Sequence, residues 1–209
     1  MEQINAALPP TDGVACFNRM YLGVTQEVGQ RIGAGFFESP EFMETTDIVF
    51  ANLYFEAAGA PEGDLPIAWR PLFELRDESR IHPMQFAIAG MNAHINHDLP
   101  LAVVGTCEKL DLQPHKGPLH ADYQRIDVVL NNAEETVRQS FESERVREHD
   151  ERHAKLLDRL GGWSIVGARD VAWETAIALW ECRRLRRGEE HFVSSLGHSV
   201  AAASRALLE

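Results

Sequence analysis

His94 and Asp98 stand four residues apart in the stretch MQFAIAGMNAHINHDLPLAVVGTC, Met84 to Cys107, in which Asp98 is the one formally charged residue. On a helix a separation of four leaves two side chains about 40° apart, on one face. That spacing lets an imidazole and a carboxylate converge on one divalent metal ion, or lets the carboxylate orient the imidazole. His97 lies about 60° to the other side of His94 and reads as a candidate general base or as a group behind the ligands. Because the rest of the stretch is apolar or small, these groups are expected inside the protein, where an unpaired polar group costs a few kcal/mol. They must therefore find partners.

Further ligands are expected from His115, His120, Asp122, Tyr123 and Asp127, at the start of a long helical pattern. Asp122 falls on the apolar side of that pattern; pointing inward it reaches the site that His94 and Asp98 face, and His120 adds a ligand from the first turn. The competing use of Asp122 is as a cap or dipole partner at a helix start. A set of His94, Asp98, His120 and Asp122 holding zinc or another divalent metal, with His97 as the catalytic group, is the composition of a metal-dependent hydrolase. The ion lowers the pKa of a bound water and polarises the scissile oxygen. The alternative is a metal-free helical protein that binds a small molecule, the His and Asn side chains orienting a ligand or locking the helices together.

Gln85, Asn92 and Asn96 lie on the opposite side of the same helix and read as amide contacts between helices. His149 and His153 form an HxxxH pair in an Arg- and Glu-rich stretch that reads as solvated. Asp170, Glu174 and Glu181 make the wet side of an amphipathic helix whose apolar side carries Trp173 and Trp180. HExxH, GxSxG, P-loop and dinucleotide-binding patterns are absent, as is any Glu-x-x-His pair of the di-iron kind.

The elements that must position these groups are helices. Apolar residues recur every three to four positions from Asp12 to about Phe37, with Asp12 as N-cap, and again from Glu41 to Ala58. Trp69 to Arg80 is a short helix or connector. A central helix begins near His82 or Pro83 and is apolar nearly all round to Leu99, where Pro100 is expected to end or kink it. Leu101 to Leu110 reads as a separate short helix, 119–153 as a long one, and Asp170 to Arg187 and Glu189 to Leu208 as the last two, with a Gly161–Gly162 break before them. No segment alternates with a period of two. The expected fold is all-α, a single helical domain over 1–209: a compact bundle of six to eight helices around a buried central helix at about 83–99.

Composition narrows the partners. With 32 acidic against 20 basic residues and a net charge of −12, the chain lacks the basic footprint of a nucleic-acid binder or of a protein drawn to anionic membranes. Arg183, Arg184, Arg186 and Arg187 sit at a helix end, where cations complement the dipole. Cys16, Cys107 and Cys182 are scattered and read as small core residues in a reducing compartment. Neither a secretory leader nor a run of about 20 apolar residues is present, so the expectation is a cytoplasmic protein acting on a small molecule, with no nucleic acid and no membrane.

AGMNAHINHDLPLAV, with the earlier FNRMYLGVTQEV and the later DVAWETAIALW, resembles a family of bacterial proteins catalogued as a domain of unknown function. MNAHINHDLP is its most specific piece, and the resemblance implies one helical domain. A more distant likeness links His94 to Pro100 with the HxxxD helix of the zinc-dependent phospholipase C and P1-type nuclease families, all-α phosphoesterases. That likeness implies zinc ligation by His94 and Asp98 and a phosphoesterase reaction. The histidine that follows the proline in those families is replaced here by the Leu101-Ala102-Val103 region.

Overall fold

The Asp12 carboxylate begins the first long helix by accepting hydrogen bonds from the N–H groups of Val14 (2.8 Å) and Ala15 (3.1 Å), the capping expected of an aspartate at that position. The computed structural model describes residues 1–33, 35–127, 130 and 164–209. A short helix α1 (Glu2–Ala7), which the apolar pattern does not announce, precedes α2 (Gly13–Gly33) and α3 (Pro40–Gly59). Two single turns, Glu62–Asp64 and Ile67–Trp69, lead into α4 (Arg70–Leu75) and the central α5 (Pro83–Ala93). After α6 (Leu99–Lys109) come α7, helical over 119–127, then α8 (Ile165–Cys182) and α9 (Arg186–Leu208). Among the described residues every regular element is helical, so the fold is all-α. The distal part of the long 119–153 pattern, its His149 and His153, and the Gly161–Gly162 break lie outside the described residues.

Helix α5 is the rod around which the others pack. Met84 and every residue from Phe86 to Ala93 are buried, with α2 on one side and α9 on the other. Its start is closed reciprocally: the His82 N–H donates to Gln85 Oε1 (3.0 Å) and the Met84 N–H to His82 Nδ1 (3.2 Å). Contact with α2 is close because Gly90 has no side chain, a Cβ there falling 2.5 Å from the Phe17 ring.

Pro100 does not end the rod. The chain passes from α5 through a π turn, His94–Asp98, directly into α6, and the Leu99 N–H donates to the His94 carbonyl five residues back. In an unbroken α-helix the Pro100 ring would clash with the Asn96 carbonyl, and no N–H would be available to bond it. The extra residue in the turn absorbs that misfit, so the expected stop becomes a bulge. Such bulges recur at functional sites, because they redirect side chains without breaking the helix.

The amide side of the rod docks the C-terminal helix. Asn92 Nδ2 donates to the Val200 carbonyl (3.1 Å) and Ser204 Oγ (2.9 Å), Gln85 Nε2 to the Leu207 carbonyl (2.8 Å), and Asn96 Nδ2 to Asn92 Oδ1 (2.9 Å). These contacts turn polar groups on a buried helix into directional joints with α9. Opposite, α6 packs against α3 and α8. One apolar cluster runs from Val14 to Leu208, and among the described residues no helix is long and apolar enough to cross a membrane.

Candidate functional site

The π turn gathers three donors on one buried carboxylate. Asp98 Oδ2 lies 3.0 Å from His94 Nδ1 and 3.0 Å from Trp69 Nε1, while Oδ1 lies 2.7 Å from His97 Nδ1. Adjacent residues on a regular α-helix point about 100° apart and do not meet. Within the π turn His97 and Asp98 do meet, and Trp69 is delivered by the Ile67–Trp69 turn. Its indole N–H finds its acceptor here, as a buried tryptophan requires.

Burial works against the charge of Asp98, but the hydrogen bonds from His94 and His97 outweigh it and hold the carboxyl below its ordinary range. His94 is buried on all sides; burial outweighs the attraction of Asp98 and holds the imidazole below its ordinary value, hence neutral at pH 7. An ionised carboxylate only accepts, so the His94 proton sits on Nδ1 and the lone pair on Nε2. That Nε2 is buried without a hydrogen-bond partner among the described residues.

His94 lines a cavity of about 90 Å³ between α2, α3, the π turn, α7 and α8. Its wall is largely apolar, with Phe17, Val28, Met43, Met91, Leu99 and Ile126 among the lining side chains. The Phe50 ring lies parallel to the imidazole at 3.5 Å, and the Tyr21 ring meets it edge-on at 4.4 Å. Set into this wall are polar atoms that, among the described residues, lack a hydrogen bond of ordinary geometry: His94 Nε2 and the buried hydroxyls of Tyr21, Thr25 and Thr46. Tyr21 and Thr25, one turn apart on α2, are close enough for the threonine to ease the phenol's ionisation; burial nonetheless pushes the phenol far above its usual range, and it stays protonated. Asp47, half-buried, completes the set, its carboxyl pushed up to about 6 by burial.

On the far wall Arg169 is committed. Its Nε donates to Asp127 Oδ1 (2.8 Å) and its terminal nitrogen to the Tyr123 carbonyl (2.6 Å), with the guanidinium 4.0 Å over the Tyr123 ring. Tyr123 Oη returns a hydrogen bond to the Arg169 carbonyl (2.6 Å), clasping α7 to α8.

Of the residues the spacing singled out, His94, His97 and Asp98 are brought together and His120 and Asp122 are not brought to them. Asp122 is fully buried, yet it accepts from the backbone N–H groups of Glu38 (3.0 Å) and Ser39 (2.5 Å) and pairs with Arg125 (2.7 Å). It thus satisfies orphan donors at the start of α3 from a different helix. The His120 ring stacks on Trp173 at 4.7 Å. His97 does not line the cavity; it packs beneath Gly197 of α9. Among the described residues no group of three or more His, Cys, Asp or Glu is placed to hold a metal ion. Replacing Asp122 by alanine should cost about 1–3 kcal/mol in a chemical denaturation experiment, because two buried N–H groups lose their acceptor. The same substitution should leave the nitrogen NMR signals of the His94 ring in place.

Trp69, Tyr21, Asp47, Phe50 and Arg169 are site residues that spacing does not reveal, since each comes from a different element than His94. One signal was available for Trp69: a buried indole needs an acceptor, and Asp98 is a buried carboxylate.

A family model, described as a family of unknown function (DUF5995), matches residues 1–209. The chain belongs to that family. No curated protein and no solved structure matches it. Membership thus carries the whole chain, the His94 to Asp98 turn included, and brings no reaction with it.

Proposed function

We propose that this protein binds a small molecule in the cavity beside the π turn, without a metal, and that His94 Nε2 is the acceptor that orients it. The observation that carries this reading is an imidazole whose Nδ1 is held by Asp98 and whose Nε2 is buried, unpaired, in the wall of an apolar cavity. An apolar pocket with a few convergent polar groups is the usual form of a small-molecule site. A nitrogen left unpaired in that setting costs stability that a purely structural histidine has no reason to forgo. The Asp98 clamp also makes Nε2 competent as a general base.

Metal-dependent hydrolysis, the reading suggested by the HxxxD spacing and the phosphoesterase likeness, fits the site less well. Both Asp98 oxygens are occupied by N–H donors, and His120 and Asp122 are engaged elsewhere. The test is nitrogen NMR of histidine-labelled protein titrated with a panel of small neutral and charged fragments. The His94 Nε2 signal, assigned by its loss in His94→Ala, should shift and saturate with at least one of them. No shift with any fragment defeats the proposal, as does stoichiometric metal in the purified protein by elemental mass spectrometry.

A further inference from the structure

We propose that the ligand is a small apolar primary amine, bound as its ammonium ion between the Asp47 carboxylate and His94 Nε2. This rests on the cavity being a small-molecule site and adds the chemical class of the occupant.

Sorting the polar atoms of the wall by what they offer leads to it. His94 Nε2, with the ring proton held on Nδ1 by Asp98, only accepts. The Asp47 carboxylate only accepts when ionised. The Tyr21, Thr25 and Thr46 hydroxyls do either. Among the described residues the cation in the wall is Arg169, whose charge is balanced by Asp127 and whose Nε and one terminal nitrogen are turned to Asp127 and the Tyr123 carbonyl. Among the described residues the cavity is therefore acceptor-rich and carries a negative charge, that of Asp47, with no cation paired to it. What complements it is a group with several N–H donors and a positive charge.

Asp47 and His94 border one space. The charge of Asp47 is felt at the Tyr21 hydroxyl, and the Tyr21 ring is in edge contact with the His94 ring. Burial raises the Asp47 carboxyl, and no cation among the described residues offsets it; an ammonium ion supplies that counter-charge. Tyr21, Phe50 and Tyr123 line the same space, and aromatic rings favour a cation. A ligand carboxylate would instead meet Asp47, with neutral hydroxyls rather than an unpaired cation beside it among the described residues.

Size limits the apolar part. An apolar cavity of roughly 150 Å³ takes benzene, so about 90 Å³ fits a chain of a few carbons. Asp47, Val24 and Thr25 are half-exposed and mark the side nearest solvent, which places the charged end toward Asp47 and the carbon chain inward.

The experiment is calorimetric titration of the full chain at pH 7.5 with n-butylammonium chloride, n-butanol and sodium butyrate, three probes of nearly one shape. The amine should bind at least about tenfold tighter than the alcohol, a difference of roughly one charge-assisted hydrogen bond, and butyrate weakest. Asp47→Asn should bring the ratio of amine to alcohol affinity close to one. Equal affinities for amine and alcohol, a preference for butyrate, or an unchanged ratio in Asp47→Asn would each overturn the amine assignment while leaving the cavity a small-molecule site. If none of the three binds, the amine assignment falls, and the fragment titration read at His94 Nε2 decides separately whether the cavity is a small-molecule site. The wild-type comparison decides the matter by itself should the variant not fold.

Discussion

Substituting alanine for Asp98 is expected to remove about 3–5 kcal/mol of folding stability, read as a shifted midpoint in urea at constant slope. The carboxylate is 2% exposed and accepts from three buried side chains. Deleting it strands the Trp69 indole N–H and both imidazole Nδ1 atoms and leaves a void at the centre of the bundle. Trp69→Phe, which strands only part of one carboxylate oxygen, should cost about 1–2 kcal/mol. Acid acts in the same direction as the deletion. His94 and Asp98 both titrate below their ordinary values in the folded protein, so the stability they contribute is complete above the unfolded values. It begins to fall as pH drops below about 6.5, where the unfolded chain takes up a proton that the folded His94 refuses. The remainder goes as Asp98 is forced to protonate. Asp47, held up to about 6 by burial, works the other way over this range, so a melting midpoint of Asp47→Asn that rises on acidification from pH 7 to 5 would contradict this account.

Gly90→Ala should destabilise by about 1–3 kcal/mol, although alanine is the better helix former. A Cβ at Gly90 falls 2.5 Å from the Phe17 ring and 2.7 Å from its Cβ, so relief requires α2 to move away from α5. Phe17 also packs against Tyr54, Trp69 and His94, with ring centroids at 5.0, 5.3 and 5.8 Å. The displacement is thereby passed to the His94 ring and the cavity wall. Thermal unfolding of Gly90→Ala, Phe17→Ala and the double variant tests the coupling: with the ring removed, the double variant should be more stable than the sum of the two single losses implies. Strict additivity would mean that the two residues do not share the space the structure gives them.

The helical fold was legible because burial imposes a period. Phe42, Met43, Thr46, Tyr54 and Ala57 along α3, or Ile165, Arg169, Ala172, Trp173, Ala176, Leu179 and Trp180 along α8, are the buried residues of their helices, and three- to four-residue spacing is what one buried helix face looks like. The near absence of charge from Met84 to Cys107 likewise identified the central rod, since a helix packed on opposite sides has no wet face. The behaviour of Pro100 was not legible. A proline lacking an N–H stops a helix or forces a bulge, and which occurs depends on whether neighbouring helices hold the chain on both sides of it.

The same division runs through the site. The His94–Asp98 contact follows from one turn of helix, a local relation that four-residue spacing encodes. Where Asp122 points does not follow from any local relation: its position on an apolar face is equally suited to a metal and to the N–H groups of Glu38 and Ser39, and only the approach of α3 chose. Trp69 reaches Asp98, and Asp47 and Arg169 the cavity, from segments distant in the chain, and no periodicity records which helices become neighbours. The chain alone thus determined an all-α fold with a polar turn on a buried rod, because burial and helical pitch act over a few residues. That His94 ends beside a cavity with one nitrogen clamped and the other buried without a partner among the described residues was decided by packing, which acts between elements far apart in sequence.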